Sequence, residues 1–139
     1  MAPSQCVILY INSSASDCTQ TRALRSLGFR VVETGDIPEG DTMEGYHAVV
    51  LRAKSDCPLP SVATRFRARP GFGRRVLIAL VAASVSLRAK HDAVDSGFDL
   101  VLPEDCSARD LAAAILGLLR RFPEYRCLLR SITGRRRAA

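Results

Sequence analysis

Apolar residues gather in short runs along this chain: Cys6 to Ile11, Phe29 to Glu33 (thinner), Ala48 to Leu51, Val76 to Ala82 and Leu100 to Leu102. The first, third and fourth are continuous rather than alternating. A strand buried on both faces reads that way, as in a parallel sheet covered by helices. The run at 29–33 has little two-sided apolar content and predicts a strand at a sheet edge. Arg52 halts the third run and Pro103 ends the fifth.

Between the runs lie helical patterns. Asp17 with Gln20 three residues later reads as an N-cap, opening a helix to Leu27 with Ala23, Leu24 and Leu27 on one face and Gly28 as its stop. Residues 34–45 are rich in Gly, Asp, Glu and Pro and predict a loop with at most a poor helical turn. Lys54 to Pro60 reads as loop and Ser61 to Arg69 as helix, broken by Pro70-Gly-Phe-Gly73. Residues 86–96 predict a helix stopped at Gly97. Ser107 with Asp110 is a capping-box variant. Behind it, Leu111, Ala114, Ile115, Leu118 and Leu119 form a core-facing stripe at helical spacing, and Pro123 ends the helix. A last short helix is expected at 124–132, with a frayed end from 134.

Strands alternating with helices predict an α/β, doubly wound three-layer sandwich with a parallel sheet. In such folds ligands bind outside the carboxyl ends of the strands. The domain is expected to span 5–122, with 123–139 as a basic C-terminal extension or linker.

Composition narrows the class. With 47% apolar and 24% charged residues, the chain has the make-up of a globular domain. Five cysteines without a CxxC spacing predict reduced thiols and a cytoplasmic protein. The first residues lack the basic n-region and long apolar stretch of a signal peptide, and no run approaches a membrane span, so no membrane association is expected. Residues 1–114 balance 13 basic against 13 acidic side chains. The formal +6 arises from seven arginines after position 114, opposed only by Glu124. The Arg135-Arg-Arg137 cluster reads as a solubilising end or the start of a linker. With no helix-turn-helix expected after Pro123, nucleic acid is not the expected partner.

Three pieces in order then carry a resemblance: Arg22-Ala-Leu-Arg-Ser-Leu-Gly-Phe-Arg-Val31, Arg67-Ala-Arg-Pro70 and Ala93-Val-Asp-Ser-Gly-Phe-Asp99. With their spacing, the chain resembles the receiver domain of two-component response regulators. That resemblance implies a flavodoxin-like sheet in the order 2-1-3-4-5 and a part in signal transduction. Receivers hold Mg²⁺ on an acidic pair after the first strand; those places carry Asn12 and Ser13. The phosphoryl-accepting aspartate that ends the third strand is replaced by Arg52. The hydroxyl residue ending the fourth strand is replaced by Val81, with Ser84 three residues on. The lysine ending the fifth is replaced by Pro103 or Glu104. Phosphoryl transfer needs an oxygen nucleophile and a cation to neutralise developing charge. Arg52 supplies neither. The resemblance therefore implies a degenerate, noncatalytic pseudo-receiver, with no cofactor or metal, that works by protein–protein contact with another signalling protein.

Two alternatives remain open. Asp56 would be the acceptor in a phosphorelay using an atypical site. Cys18, Cys57 and Cys106, all in loops at one end of the sheet, would serve a thiol-based redox or metal sensor, because Cys18 and Cys106 lie near expected helix N-termini, which stabilise thiolates. Neither His47 nor His91 is expected to join them. Gly71-Phe-Gly73 precedes a strand and is misplaced for phosphate binding. Arg52 is expected either to pair with Glu104 or Asp56 as a latch or to project into solvent. Surplus apolar residues at the C-terminal end (Leu116, Phe122, Tyr125, Leu128, Leu129) are expected at an interface. Receivers commonly pair through the fourth helix, fifth strand and fifth helix, which implies a homodimer there.

Overall fold

The computed structural model describes residues 6–13, 19–37, 45–70, 72–73 and 75–122. Its strands are β1 (Val7–Asn12), β2 (Arg30–Thr34), β3 (Ala48–Arg52), β4 (Val76–Val81) and β5 (Leu100–Pro103). They form one parallel sheet in the order β2-β1-β3-β4-β5. The helices are α1 (Gln20–Ser26), α2 (Leu59–Arg67), α3 (Leu87–Ser96) and α4 (Ala108–Leu119). The doubly wound architecture read from the sequence is the one observed, with β2 at an edge.

Alternate strand residues point to opposite layers. Ile8, Tyr10, Val50, Ile78 and Leu80 pack with Leu24 of α1 and with Leu111, Ile115 and Leu119 of α4. Leu9, Ile11, Leu51, Leu77 and Val81 pack with Leu59, Val62 and Phe66 of α2 and Ala93 of α3. Every residue of β4 is buried, because it lies inside the sheet and is covered on both faces. That is why its sequence shows no alternation.

Several local signals are used as read. The Ser107 hydroxyl accepts the Asp110 N–H and caps α4. Ser86, read as the first residue of its helix, instead caps α3 by accepting the Ala89 N–H. Gly97 takes φ 136° behind α3, and a Cβ there would lie 3.0 Å from Arg67 Cγ.

Other boundaries differ. α2 begins at Leu59, so Pro60 lies in its first turn, where its missing N–H costs nothing. α4 stops at Leu119, before Pro123 is reached. Its buried face is Leu111, Ala112, Ile115, Leu116 and Leu119, while Ala114 and Leu118 are only partly buried. The helix is thus turned from the expected phase, and Leu116, expected at an interface, belongs to the core at 5% exposure. Phe122 packs half-buried against the same layer. Asp17, Cys18, Tyr125, Leu128, Leu129, the expected helix at 124–132 and the basic tail lie outside the described residues.

Two polar clusters knit the amino end of the sheet. Asp99 Oδ2 accepts the Leu77 N–H and Arg67 Nη2, each at 2.8 Å, and Oδ1 accepts Arg121 Nη2 at 3.2 Å. His47, just ahead of β3, accepts the Val7 N–H on Nδ1 at 3.0 Å. Burial lowers the His47 pKa, and the Arg75 charge lowers it further.

A pH dependence follows. The unfolded chain takes up a proton at His47 near its ordinary pKa of about 6.5, while the folded chain resists until lower pH. Stability from this group is therefore complete above that value and declines as pH falls below it, by at most about 1.4 kcal/mol per pH unit. Urea denaturation at several pH values between 7.5 and 5 should show the decline. His47→Asn, which keeps an acceptor near the Nδ1 position but does not titrate, should flatten it. Equal slopes in both proteins would remove His47 as the cause.

Candidate functional site

The carboxyl ends of β1, β3, β4 and β5 converge where this fold class places its ligands. Asn12 and Arg52 are register partners across β1 and β3, and Val81 and Pro103 across β4 and β5. The loop after β5 is tied back to β4 by the Glu104 N–H, which donates to the Val81 carbonyl at 2.8 Å. Ser13 closes the β1 side, donating both its N–H and its hydroxyl to the Arg52 carbonyl at 3.2 and 2.8 Å.

The Arg52 side chain does not simply project into solvent. It is half-buried, and its Nη1 donates to the Glu104 carbonyl oxygen at 2.9 Å. Of the two outcomes expected for Arg52, the contact with Glu104 is the one observed, made to its main-chain carbonyl rather than its carboxylate. Gln20 reaches the same loop from the first residue of α1. Its Nε2 donates to the carbonyls of Glu104 at 3.2 Å and Cys106 at 2.6 Å, while its Oε1 accepts the Tyr10 hydroxyl at 2.7 Å. Tyr10 is fully buried and Gln20 is 8% exposed, so these bonds are shielded from water.

Gln20 and Tyr10 were missed by the sequence reading. Gln20 fitted a capping box too well: its helix is entered through Thr19, with no side-chain cap bond, and its amide turns inward instead. The available signal was Tyr10, the one hydroxyl inside the first apolar run. A buried phenol needs a partner.

Asp56 lies exposed in the loop after β3. Val81 is 2% exposed and presents no hydroxyl. Ser84 is exposed beyond it. The ends of β1, β3 and β4 therefore offer two neutral side chains, a guanidinium and a valine. Mg²⁺ requires hard, anionic oxygen ligands, and this donor set does not suit it.

Cys106 carries the opposite tendency to the one expected near a helix N-terminus, and Cys18 lies outside the described residues. Burial raises the pKa of Cys106, and Asp110 and Asp105 raise it further against smaller opposing effects of Gln20 and Arg52. Burial and then Asp56 raise that of Cys57. Burial pushes Cys6 up to about 12. Among the described residues, the one group of three possible metal ligands is His91, Asp92 and Asp95, all exposed on α3, and no cysteine belongs to it.

Two hollows reach the carboxyl ends of the strands without touching Arg52, Gln20 or Glu104. One of about 170 Å³ is lined by apolar residues such as Leu59, Val81, Val85 and Ala89 together with Lys54 and Asp92. A wider cleft of about 540 Å³ lies between Ser13, Asp36, Leu51 and Arg65.

The sequence matches no family model, and no curated protein is significantly similar to it. The fold does have solved counterparts. A two-component response regulator from Clostridium difficile superposes with a TM-score of 0.65 at 16% identity, covering 86% of this chain and 99% of that one. A CheY-like receiver domain protein from Methanospirillum hungatei gives 0.62 at 16% identity, over 84% of this chain and 94% of that one. The receiver domain of a sensor histidine kinase from Pseudomonas aeruginosa, solved with a magnesium ion coordinated in its active-site cleft, gives 0.62 at 20% identity, over 83% and 98%. At such identities the likeness establishes the CheY-like fold and nothing finer.

Proposed function

We propose that this chain is a noncatalytic pseudo-receiver: a signalling module of the two-component type that acts by binding another signalling protein, without aspartyl phosphorylation. The observation that carries this reading is the Arg52 guanidinium on the Glu104 carbonyl. At the strand end where the resemblance puts a phosphoryl acceptor, a fixed cation holds the β5–α4 loop in place. A cation cannot act as the nucleophile, and it disfavours the metal that phosphoryl transfer requires. The loop is thus held without a phosphoryl group. The same reading assigns no cofactor, a cytoplasmic location, and a partner-binding or dimer surface around α3, β5, α4 and Phe122. Among the described residues no helix is long and apolar enough to cross a membrane.

The decisive test is incubation with acetyl phosphate and Mg²⁺ followed by intact mass measurement. No phosphate adduct is expected. An adduct that disappears in Asp56→Asn would replace this reading with that of a receiver using an atypical acceptor.

A further inference from the structure

Charges that cancel along the sequence are sorted by the fold to opposite ends of the sheet. At the carboxyl end the described connections carry Asp36, Asp56, Glu104 and Asp105 against Lys54. At the amino end they carry Arg69, Arg75, Arg120 and Arg121 against Asp99, and Arg30 opens β2. Asp99 is already shared by Arg67 and Arg121, and Asp95, in the last turn of α3, lies 3.3 Å from His91. The arginines form one surface. Arg67 and Arg121 meet on Asp99 from opposite layers, and Arg67 Nη1 donates to the Arg75 carbonyl at 3.1 Å. Arg67 and Arg69 stand over Phe72 and Phe66, whose ring centroids are 5.8 Å apart. By strand register Arg30, Val7, His47 and Arg75 share one row across the sheet. Cations at helix carboxyl ends serve the macrodipole, which accounts for Arg25 and Arg67 but not for Arg30 or Arg75, which stand where strands begin. Arg69 is more telling. Its Nη1 is enclosed with no hydrogen-bond acceptor among the described residues, and its guanidinium rests 5.0 Å over the Phe66 ring instead. A charged donor held this way gains by turning outward to an anion.

We propose that the amino end of the sheet binds the phosphate backbone of double-stranded nucleic acid without reading its sequence. All the cations of this surface are arginines, whose planar forks match phosphate oxygens. Arg30 and Arg75 stand three strand spacings apart, about 14 Å, so one small anion does not serve both, whereas a polymer backbone does. Interfaces with proteins and membrane surfaces need apolar contacts. Among the described residues the exposed large apolar side chains are Leu87 and Val94, both on α3 and not on the elements that carry these arginines. Beyond Phe122 the sequence adds Arg126, Arg130 and Arg135–Arg137 against Glu124 alone, charge of the same sign.

Nucleic acid was not the expected partner because the sequence predicts no base-reading helix after Pro123. Phosphate contacts need none, since they position a protein on the duplex and carry no sequence information. The inference does not rest on the pseudo-receiver reading. An acetyl phosphate adduct would overturn that reading and leave this one standing.

Fluorescence anisotropy of the full chain with a labelled DNA duplex of about 20 base pairs, from about 50 to 200 mM NaCl, tests it. The wild type should bind two unrelated sequences alike, with a dissociation constant of about 1–100 μM that weakens steeply with salt. The triple variant Arg30→Gln, Arg69→Gln, Arg120→Gln should bind at least about tenfold more weakly, with a salt slope shallower by about 3. These side chains make no hydrogen bond in the fold, so thermal unfolding should match the wild type. The control triple Arg22→Gln, Arg88→Gln, Arg109→Gln removes equal charge from exposed positions in the amino-terminal halves of α1, α3 and α4 and should lose less than about threefold. A wild type that leaves the duplex unbound at about 50 mM salt overturns the proposal. Equal losses in the two triples also overturn it, since net charge or the basic tail would then carry the binding. So does binding to anionic phospholipid vesicles, but not to the duplex, that the first triple abolishes.

Discussion

Asp99→Ala is expected to destabilise the fold by about 3 kcal/mol, lowering the unfolding midpoint by roughly 10 °C. The carboxylate accepts the Leu77 N–H inside the sheet and the fork of Arg67. Alanine leaves the Leu77 donor without this partner, at a desolvation cost of about 1–3 kcal/mol. It also removes the counter-charge from Arg67, whose other donors are committed to the carbonyls of Gly97 and Arg75 and whose plane lies 5.0 Å over the Phe72 ring. That guanidinium cannot swing freely into water to recover its solvation. At 30% and 19% side-chain exposure the pair is neither a surface bridge nor a fully buried one, and the figure is set between those limits. Arg121, more than half exposed, contributes little, so Arg121→Ala should cost under about 1 kcal/mol. Asp99→Asn keeps one acceptor and should recover part of the loss. Urea titration of the four proteins checks the series. An Asp99→Ala protein within about 1 kcal/mol of wild type would mean the cluster is merely decorative.

The second large effect belongs to the latch. Gln20→Leu should cost about 2–3 kcal/mol and free the loop at 104–106. It takes the acceptor from the buried Tyr10 hydroxyl and the donor from two loop carbonyls at once. Tyr10→Phe alone should cost about 1 kcal/mol. The double variant should lose less than the sum, because both single changes remove the same Tyr10–Gln20 bond, while the loss at the two loop carbonyls is unaffected by Tyr10→Phe. Arg52→Met keeps the length of the side chain and removes the guanidinium. It should leave global stability nearly unchanged while amide exchange in the β5–α4 loop accelerates, since the Glu104 carbonyl would retain Gln20 alone of the two donors described here. Combined with Gln20→Leu, the loop should open further than either change predicts, because the two donors share one acceptor. Unchanged loop exchange in Arg52→Met would show that the guanidinium holds nothing, and the pseudo-receiver reading would lose the observation that carries it.

Much of this was present in the chain before folding. Continuous apolar runs at 6–11, 48–51 and 76–82 determined buried parallel strands, because strand burial is written residue by residue. The thin run at 29–33 determined an edge. Ser107 and Gly97 determined helix ends, since capping is a contact between residues three or four apart. The absence of carboxylates from positions 12, 13 and 52 was equally a matter of reading, and it made an altered pocket the leading candidate site.

What the sequence could not settle is where side chains meet. Gln20, Arg52 and Glu104 come together from three segments more than thirty residues apart, and only the sheet order brings them to one carbonyl. The rotational phase of α4 was misread because Ala114 and Leu118 fit the helical stripe as well as Ala112 and Leu116 do; packing against α1 and the sheet chose between them. The Cys106 pKa is shifted in the opposite direction to the one expected because proximity to a helix start is local, whereas burial and neighbouring carboxylates are set by the tertiary structure. Periodicity reports which face of an element is apolar. Which element it packs against, and which polar atoms are then enclosed together, depends on long-range packing that no window of the sequence contains.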